Sequence, residues 1–143
     1  MKPIVIADSS ALISLASLDD ANHSNALTQS QAIKDHGLEM ILPADVFTET
    51  LNIVSKKISR ELALSLGKEF LTGDTILLVE TPLVVRKKAF EMFSQSKQSV
   101  SFTDCLVMAF ADHFKTKAIF GFDEIFTKSN YILPSQISAQ QAA

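Results

Sequence analysis

The sequence is poor in cysteine, glycine and proline, and these shortages narrow the class of protein. The single cysteine, Cys105, cannot form an intramolecular disulfide, so a reducing cytoplasm is the expected setting. Four glycines and four prolines in 143 residues argue against long irregular segments. No apolar run approaches the roughly 20 residues of a membrane-spanning helix. Lys2 and Pro3 lead directly into a short apolar run, so no signal peptide is expected.

Zinc ligands and a basic surface are also missing. No Cys/His pair has zinc-ligand spacing, and the three histidines are scattered. The net charge is −3, whereas a protein that holds nucleic acid by electrostatics alone is normally basic. A polyanionic substrate would therefore require an added positive group, for which a bound metal ion would serve.

What the chain does contain is typical of a globular α/β protein, with 47% hydrophobic and 20% charged residues. We expect strands at 3–7, 39–42, 75–80 and 117–120, with a possible fifth at 131–133. We expect helices at 11–18, 24–36, 44–57, 60–71, 82–95 and 102–114. Strands separated by helices predict right-handed crossovers and a parallel sheet covered on both faces. We expect one domain at 1–134 and a flexible tail at 135–143.

Four acidic residues are expected at one edge of this sheet. Asp8 directly follows the first strand, and Asp123 follows the fourth. Glu49 lies in the first half of the helix after the second strand, and Asp104 lies in the first turn of the helix that leads into the fourth. The carboxyl ends of strands and the amino ends of helices share an edge in such folds, where ligand sites gather.

Each aspartate also has a purely structural interpretation. Asp8 could cap the first helix, Asp104 could belong to a capping box with Ser101, and Asp123 could be a turn residue. However, the helix that carries Asp104 is apolar all round over residues 105–111, so this carboxylate is expensive to bury without a partner or a cation.

Convergence of several carboxylates would require a compensating charge. One pair of like charges at about 4 Å costs roughly 4 kcal/mol at an effective dielectric of about 20. Oxygen-only ligands favour Mg²⁺ or Mn²⁺ over zinc. Such ions could neutralise a scissile phosphodiester and activate a water molecule. The residues alone leave open whether one ion or two would bind.

Four short segments, each with one of these acids, resemble the motifs of the PIN-domain family, in family order and spacing. They are residues 4–13, 43–52, 101–110 and 122–126. Residues 20–26 are similar to the family's polar lead into the second helix. The chain therefore resembles PIN-domain proteins over nearly its whole length, and specifically the VapC-type toxins of bacterial toxin–antitoxin pairs. One departure is that Glu124 and Thr127 occur where the family often has a further aspartate.

This resemblance implies a three-layer α/β/α fold with a central four- to five-stranded parallel sheet. It also implies a Mg²⁺-dependent endoribonuclease, often a homodimer, that is bound by a small antitoxin protein. Asp8, Glu49, Asp104 and Asp123 would form the acidic, metal-binding centre. The side chains of Ser10 and Thr103 would hold the metal's water shell or a carboxylate in place.

Two other functions fit parts of the sequence. A phosphotransfer domain could use Asp8 as nucleophile, but haloacid-dehalogenase-like sites require a second aspartate at the position that Ser10 occupies. A domain of the same fold could also bind RNA or a protein partner without cleavage. The presence of all four acids favours the nuclease.

Overall fold

The computed structural model describes residues 2–137, which form four strands and seven α-helices. The strands are β1 (Ile4–Ala7), β2 (Glu39–Pro43), β3 (Ile76–Val79) and β4 (Ile119–Phe120). The helices are α1 (Ser9–Ala16), α2 (His23–Asp35), α3 (Ala44–Lys57), α4 (Arg60–Thr72), α5 (Leu83–Ser94), α6 (Phe102–His113) and α7 (Glu124–Lys128). A 3-10 helix spans Pro134–Gln136.

The strands form one parallel sheet in the order β3-β2-β1-β4, flanked by helices in a three-layer α/β/α arrangement. The predicted parallel architecture is confirmed. Strands β2 and β3 follow one another on one side of β1, whereas β4 lies on the other side of β1. The reversal lies between β1 and β4, and such a switch point opens a crevice at the carboxyl ends of the two strands.

The buried core explains why α6 is apolar on every side. All seven of its residues from Cys105 to Ala111 are buried, and the helix packs on the central strand β1. Phe110 is fully enclosed, as is Phe120 at the end of β4. This packing fixes the amino end of α6 relative to the strand ends.

The possible fifth strand is reduced to a single parallel bridge between Ala118 and Ile132. Pro134, which has no backbone N–H, opens the 3-10 helix two residues later, so a longer ladder cannot form. The tail predicted from residue 135 begins within this helix, where the Ser135 N–H donates to Gln29 Oε1 (2.8 Å). The remaining tail residues, 138–143, lie outside the described residues.

Within residues 2–137, no helix is both long enough and apolar enough to cross a membrane.

Candidate active site

The first candidate residue, Asp8, lies at the switch point of the sheet. Its backbone N–H donates to the Phe120 carbonyl (2.9 Å), which fastens the end of β1 to the end of β4. Its side chain caps α1, because Oδ2 accepts hydrogen bonds from the Ser10 N–H (3.1 Å) and the Ser10 hydroxyl (2.6 Å). Asp8 is only 4% exposed. A buried carboxylate thus starts the first helix.

Burial raises the pKa of Asp8 from 3.8 to about 6, because the charged form loses its hydration. The two hydrogen bonds from Ser10 act in the opposite direction. The negative charges of Asp104 and Glu49 raise the pKa further, so these three carboxylates are close enough to repel one another.

Ser10 connects Asp8 to the loop that carries Asp123. Its hydroxyl donates to Asp8 and accepts from the Phe122 N–H (3.0 Å). The hydroxyl therefore joins the start of α1 to the segment between β4 and α7. The resemblance implied that Ser10 holds a carboxylate or the metal's water shell, and in the structure its hydroxyl bonds the carboxylate of Asp8.

Glu49 reaches the same region from α3. It is half-buried, and its Oε2 accepts a hydrogen bond from the Ser9 hydroxyl (2.7 Å). Sequence reasoning did not single out Ser9, because no local pattern pairs two residues that are 40 positions apart. The contact depends on the packing of α1 against α3.

Asp104 belongs to the predicted capping box at the start of α6. Its Oδ2 accepts from the Ser101 N–H (3.0 Å), while its own N–H donates to the Ser101 hydroxyl (3.1 Å). Asp104 is 8% exposed, and burial is the largest cause of its raised pKa. The charges of Asp123 and Glu49 raise that pKa further, which places all three acids in one neighbourhood.

Asp123 is the exposed member of the set and caps α7, with its Oδ1 accepting from the Ile125 N–H (3.1 Å). Thr103 lies half-buried in the first turn of α6. Among the described residues, no hydrogen bond joins the Thr103 hydroxyl to any of the four acids. Ser10 thus contacts one of the acids directly through its hydroxyl, whereas Thr103 is next to Asp104 in the chain without such a bond among the described residues.

The structural and functional interpretations of the aspartates are both compatible with this geometry. Asp8, Asp104 and Asp123 each accept a backbone hydrogen bond at the amino end of a helix. These helix ends lie near one sheet edge, and the partial positive charge at the amino end of a helix stabilises carboxylates there. Helix capping is thus the means by which the fold positions the three aspartates, whereas Glu49 is held by the Ser9 hydroxyl.

Each of the four carboxylates uses only one oxygen for hydrogen bonding within residues 2–137. The oxygens that accept are Asp8 Oδ2, Glu49 Oε2, Asp104 Oδ2 and Asp123 Oδ1. No Lys or Arg forms an ion pair with any of them in this part of the chain. Because no buried side-chain oxygen there lacks a partner, the second oxygen of Asp8 must reach solvent.

This donor set is chemically suited to a hard divalent cation, since it offers carboxylate oxygens without a basic partner. In the described part of the chain, however, no three acidic, histidine or cysteine side chains approach closely enough to form a ready-made ion site. An ion would therefore be held partly through water molecules or after small side-chain movements. Mg²⁺ commonly retains several waters in protein sites.

Two surface pockets lie away from these acids. One, of about 360 Å³, is lined by Lys2, Lys115 and Lys117 near the amino end of β1. The other, of about 1160 Å³, is a mainly apolar groove that includes Leu12 and Phe70. None of the four acids lines either pocket. The acidic site is therefore distinct from both.

Gly121 is a further site residue that the sequence analysis missed, and its lack of a side chain is required by close packing. A Cβ added there would lie 2.8 Å from Asp8 Cβ and 2.8 Å from Phe126 Cε2. The signal available in the sequence was a glycine directly after β4.

We expect Gly121→Ala to destabilise the protein by about 1–3 kcal/mol, because Asp8 or Phe126 must shift to accommodate the methyl group. Urea unfolding would measure the change. Gly67→Ala is the matched control, because its Cβ would meet only the flexible Leu51 side chain, at 3.2 Å. Equal stability of the two variants would contradict the proposed crowding at Asp8.

Comparison with known proteins identifies the fold. Residues 5–129 match the sequence model of the PIN domain, and the chain therefore belongs to the PIN domain family. PIN-domain proteins of the VapC type are ribonucleases. No curated protein matches the sequence.

Among solved structures, the chain resembles the crystal structure of VapC20 of Mycobacterium tuberculosis, described as a toxin that cleaves the sarcin-ricin loop. The TM-score is 0.77, and the match covers 90% of this chain and 96% of that one. The two sequences are 15% identical, so this likeness shows a common fold.

Proposed function

We propose that the protein is a metal-dependent endoribonuclease that hydrolyses RNA phosphodiester bonds. Its active site would be formed by Asp8, Glu49, Asp104 and Asp123. The observation that carries this proposal is the arrangement of the acids around the switch point. They come from four different segments, and the charges of neighbouring acids raise the pKa of both Asp8 and Asp104. Within residues 2–137, each of the four retains one oxygen without a protein donor. Membership of a ribonuclease family supports the same conclusion.

The four carboxylates would hold Mg²⁺ or Mn²⁺, which when bound would neutralise a scissile phosphate and lower the pKa of a water molecule. Ser10 keeps Asp8 in one orientation through the hydroxyl bond of 2.6 Å. The amino ends of α1 and α6 place partial positive charge beside the acids. This charge offsets part of the repulsion between the carboxylates and an RNA backbone.

We further propose that the protein is the cytoplasmic toxin of a type II toxin–antitoxin pair and has a cognate antitoxin protein as partner. Its fold resemblance to VapC20 supports this proposal. The sarcin-ricin loop that VapC20 is described as cleaving makes a structured ribosomal RNA hairpin the first substrate to test.

A homodimer is also part of the proposal. Helix α5 carries large apolar side chains that remain exposed, including Leu83 (66%), Val84 (62%) and Phe90 (65%). Exposed apolar patches of this kind often mark protein–protein interfaces. Light scattering on the purified protein would show whether two copies associate.

The nuclease proposal predicts that cleavage of an RNA hairpin requires both a divalent ion and Asp104. We expect activity with Mg²⁺ or Mn²⁺, loss of activity with a chelator, and a decrease of at least about 100-fold in Asp104→Asn, because a ligand is lost. Gel analysis of end-labelled RNA would give the rates.

Asp19→Asn is the matched control, because it makes the same charge change at an exposed position between α1 and α2. It should cleave like the wild type. RNA binding without cleavage under all ion conditions would instead identify a binding module. Cleavage that persists in a chelator would overturn metal dependence.

A further inference from the structure

Ser9 occupies a position between the two residues that the sequence analysis assigned to the site, Asp8 and Ser10. It is the first residue of α1 and is 8% exposed. Its hydroxyl donates to Glu49 Oε2 at 2.7 Å, a short hydrogen bond of the kind formed with a charged acceptor. Ser9 is thus the residue that links the start of α1 to the acid on α3.

The two neighbouring serines orient two different carboxylates. Ser10 fixes Asp8 through Oδ2, and Ser9 fixes Glu49 through Oε2. A glutamate side chain has several rotatable bonds and loses much conformational freedom when it is ordered. A hydrogen bond to one carboxylate oxygen removes part of that freedom, while the other oxygen has no donor in the part of the chain that the structure describes.

We propose that Ser9 is a positioning residue that holds Glu49 ready to bind the divalent ion. This inference rests on the proposed function, because it assigns Glu49 to the ion site. Ser9 acts through Glu49 and does not itself contact the ion. Residues that orient metal ligands by hydrogen bonds typically change metal affinity about 10–100-fold when they are mutated.

The test is Mn²⁺ binding to the purified protein without RNA, measured by isothermal titration calorimetry. We expect Ser9→Ala to weaken Mn²⁺ binding about tenfold. Ser9→Thr retains the hydroxyl and should restore most of the affinity. Ser14→Ala should bind Mn²⁺ like the wild type, because Ser14 is a buried serine of the same helix that bonds Asp20 and a backbone carbonyl.

A double-mutant cycle shows whether Ser9 acts through Glu49. In a Glu49→Ala background, the additional change Ser9→Ala should have no further effect on Mn²⁺ affinity. Wild-type affinity in Ser9→Ala, together with weak binding in Glu49→Ala, would overturn the role of Ser9 and leave the proposed ion site intact. Wild-type affinity in Glu49→Ala, Asp8→Asn and Asp104→Asn would overturn both proposals.

Discussion

Asp8→Asn is expected to reduce RNA cleavage by at least about 100-fold, because the asparagine removes a charge from the proposed ion site. The side chain keeps nearly the same shape, and its oxygen can still accept the hydrogen bonds from Ser10 that start α1. The loss should therefore come from chemistry and not from unfolding. Cleavage of a labelled RNA hairpin in saturating Mg²⁺ would give the rate.

Asp35→Asn provides the control for charge, because it makes the same substitution on the exposed surface of α2. It should retain the wild-type rate. Circular dichroism of Asp8→Asn should show an intact fold. A folded Asp8→Asn variant that kept more than about a tenth of the wild-type rate would exclude Asp8 from the catalytic centre.

The second large effect concerns stability and pH. The pKa of Asp8 is about 6 in the folded protein and is ordinarily 3.8, so the folded state binds the proton more tightly than the unfolded state does. The contribution of Asp8 to the stability of the folded protein is therefore most favourable below about pH 4, and it is lost as the pH rises through about 6. A difference of about two between the folded and unfolded pKa values corresponds to a change of about 3 kcal/mol in the free energy of unfolding.

The measurement is urea unfolding of the wild type and Asp8→Asn in a chelating buffer between about pH 4 and 7. Because the other titratable groups are the same in both proteins, most of their effects cancel in the difference between the two unfolding free energies. We expect it to shift by up to about 3 kcal/mol, in favour of the variant as the pH rises. A difference that stayed constant with pH would show that Asp8 is not held in a desolvated site.

The alternation of strand and helix patterns was sufficient to predict the parallel sheet. Helix α3 was predicted at its observed bounds, because Pro43 marks the start and apolar residues at helical spacing continue to Val54, in the last turn before Lys57. Helix α7 was not predicted, since five residues are too few to show a helical period. Strand β4 is only two residues long, and on its edge away from β1 it meets Ile132 in a single bridge, where the Ile119 N–H donates to the Ile132 carbonyl and the Ile132 N–H donates to the Lys117 carbonyl.

The sequence could predict that the acids share an edge but not which group orients each acid. Their order relative to strands and helices fixes the edge. The negative charges of neighbouring acids, which raise the pKa of Asp8 and of Asp104, agree with that placement. The Ser9–Glu49 bond depends on how α1 packs against α3, and the requirement for Gly121 depends on the close approach of Phe126. Both are tertiary contacts without a local signature.

The start of a helix is a place where native proteins fray, and here three such starts carry acids of one cluster. Left alone, the first turns of α1, α6 and α7 would open and close independently of one another. A cation shared among their carboxylates would make these openings interdependent. Amide hydrogens in the first turns of all three helices would then exchange with solvent more slowly, and the folded protein would become more rigid around the proposed ion site.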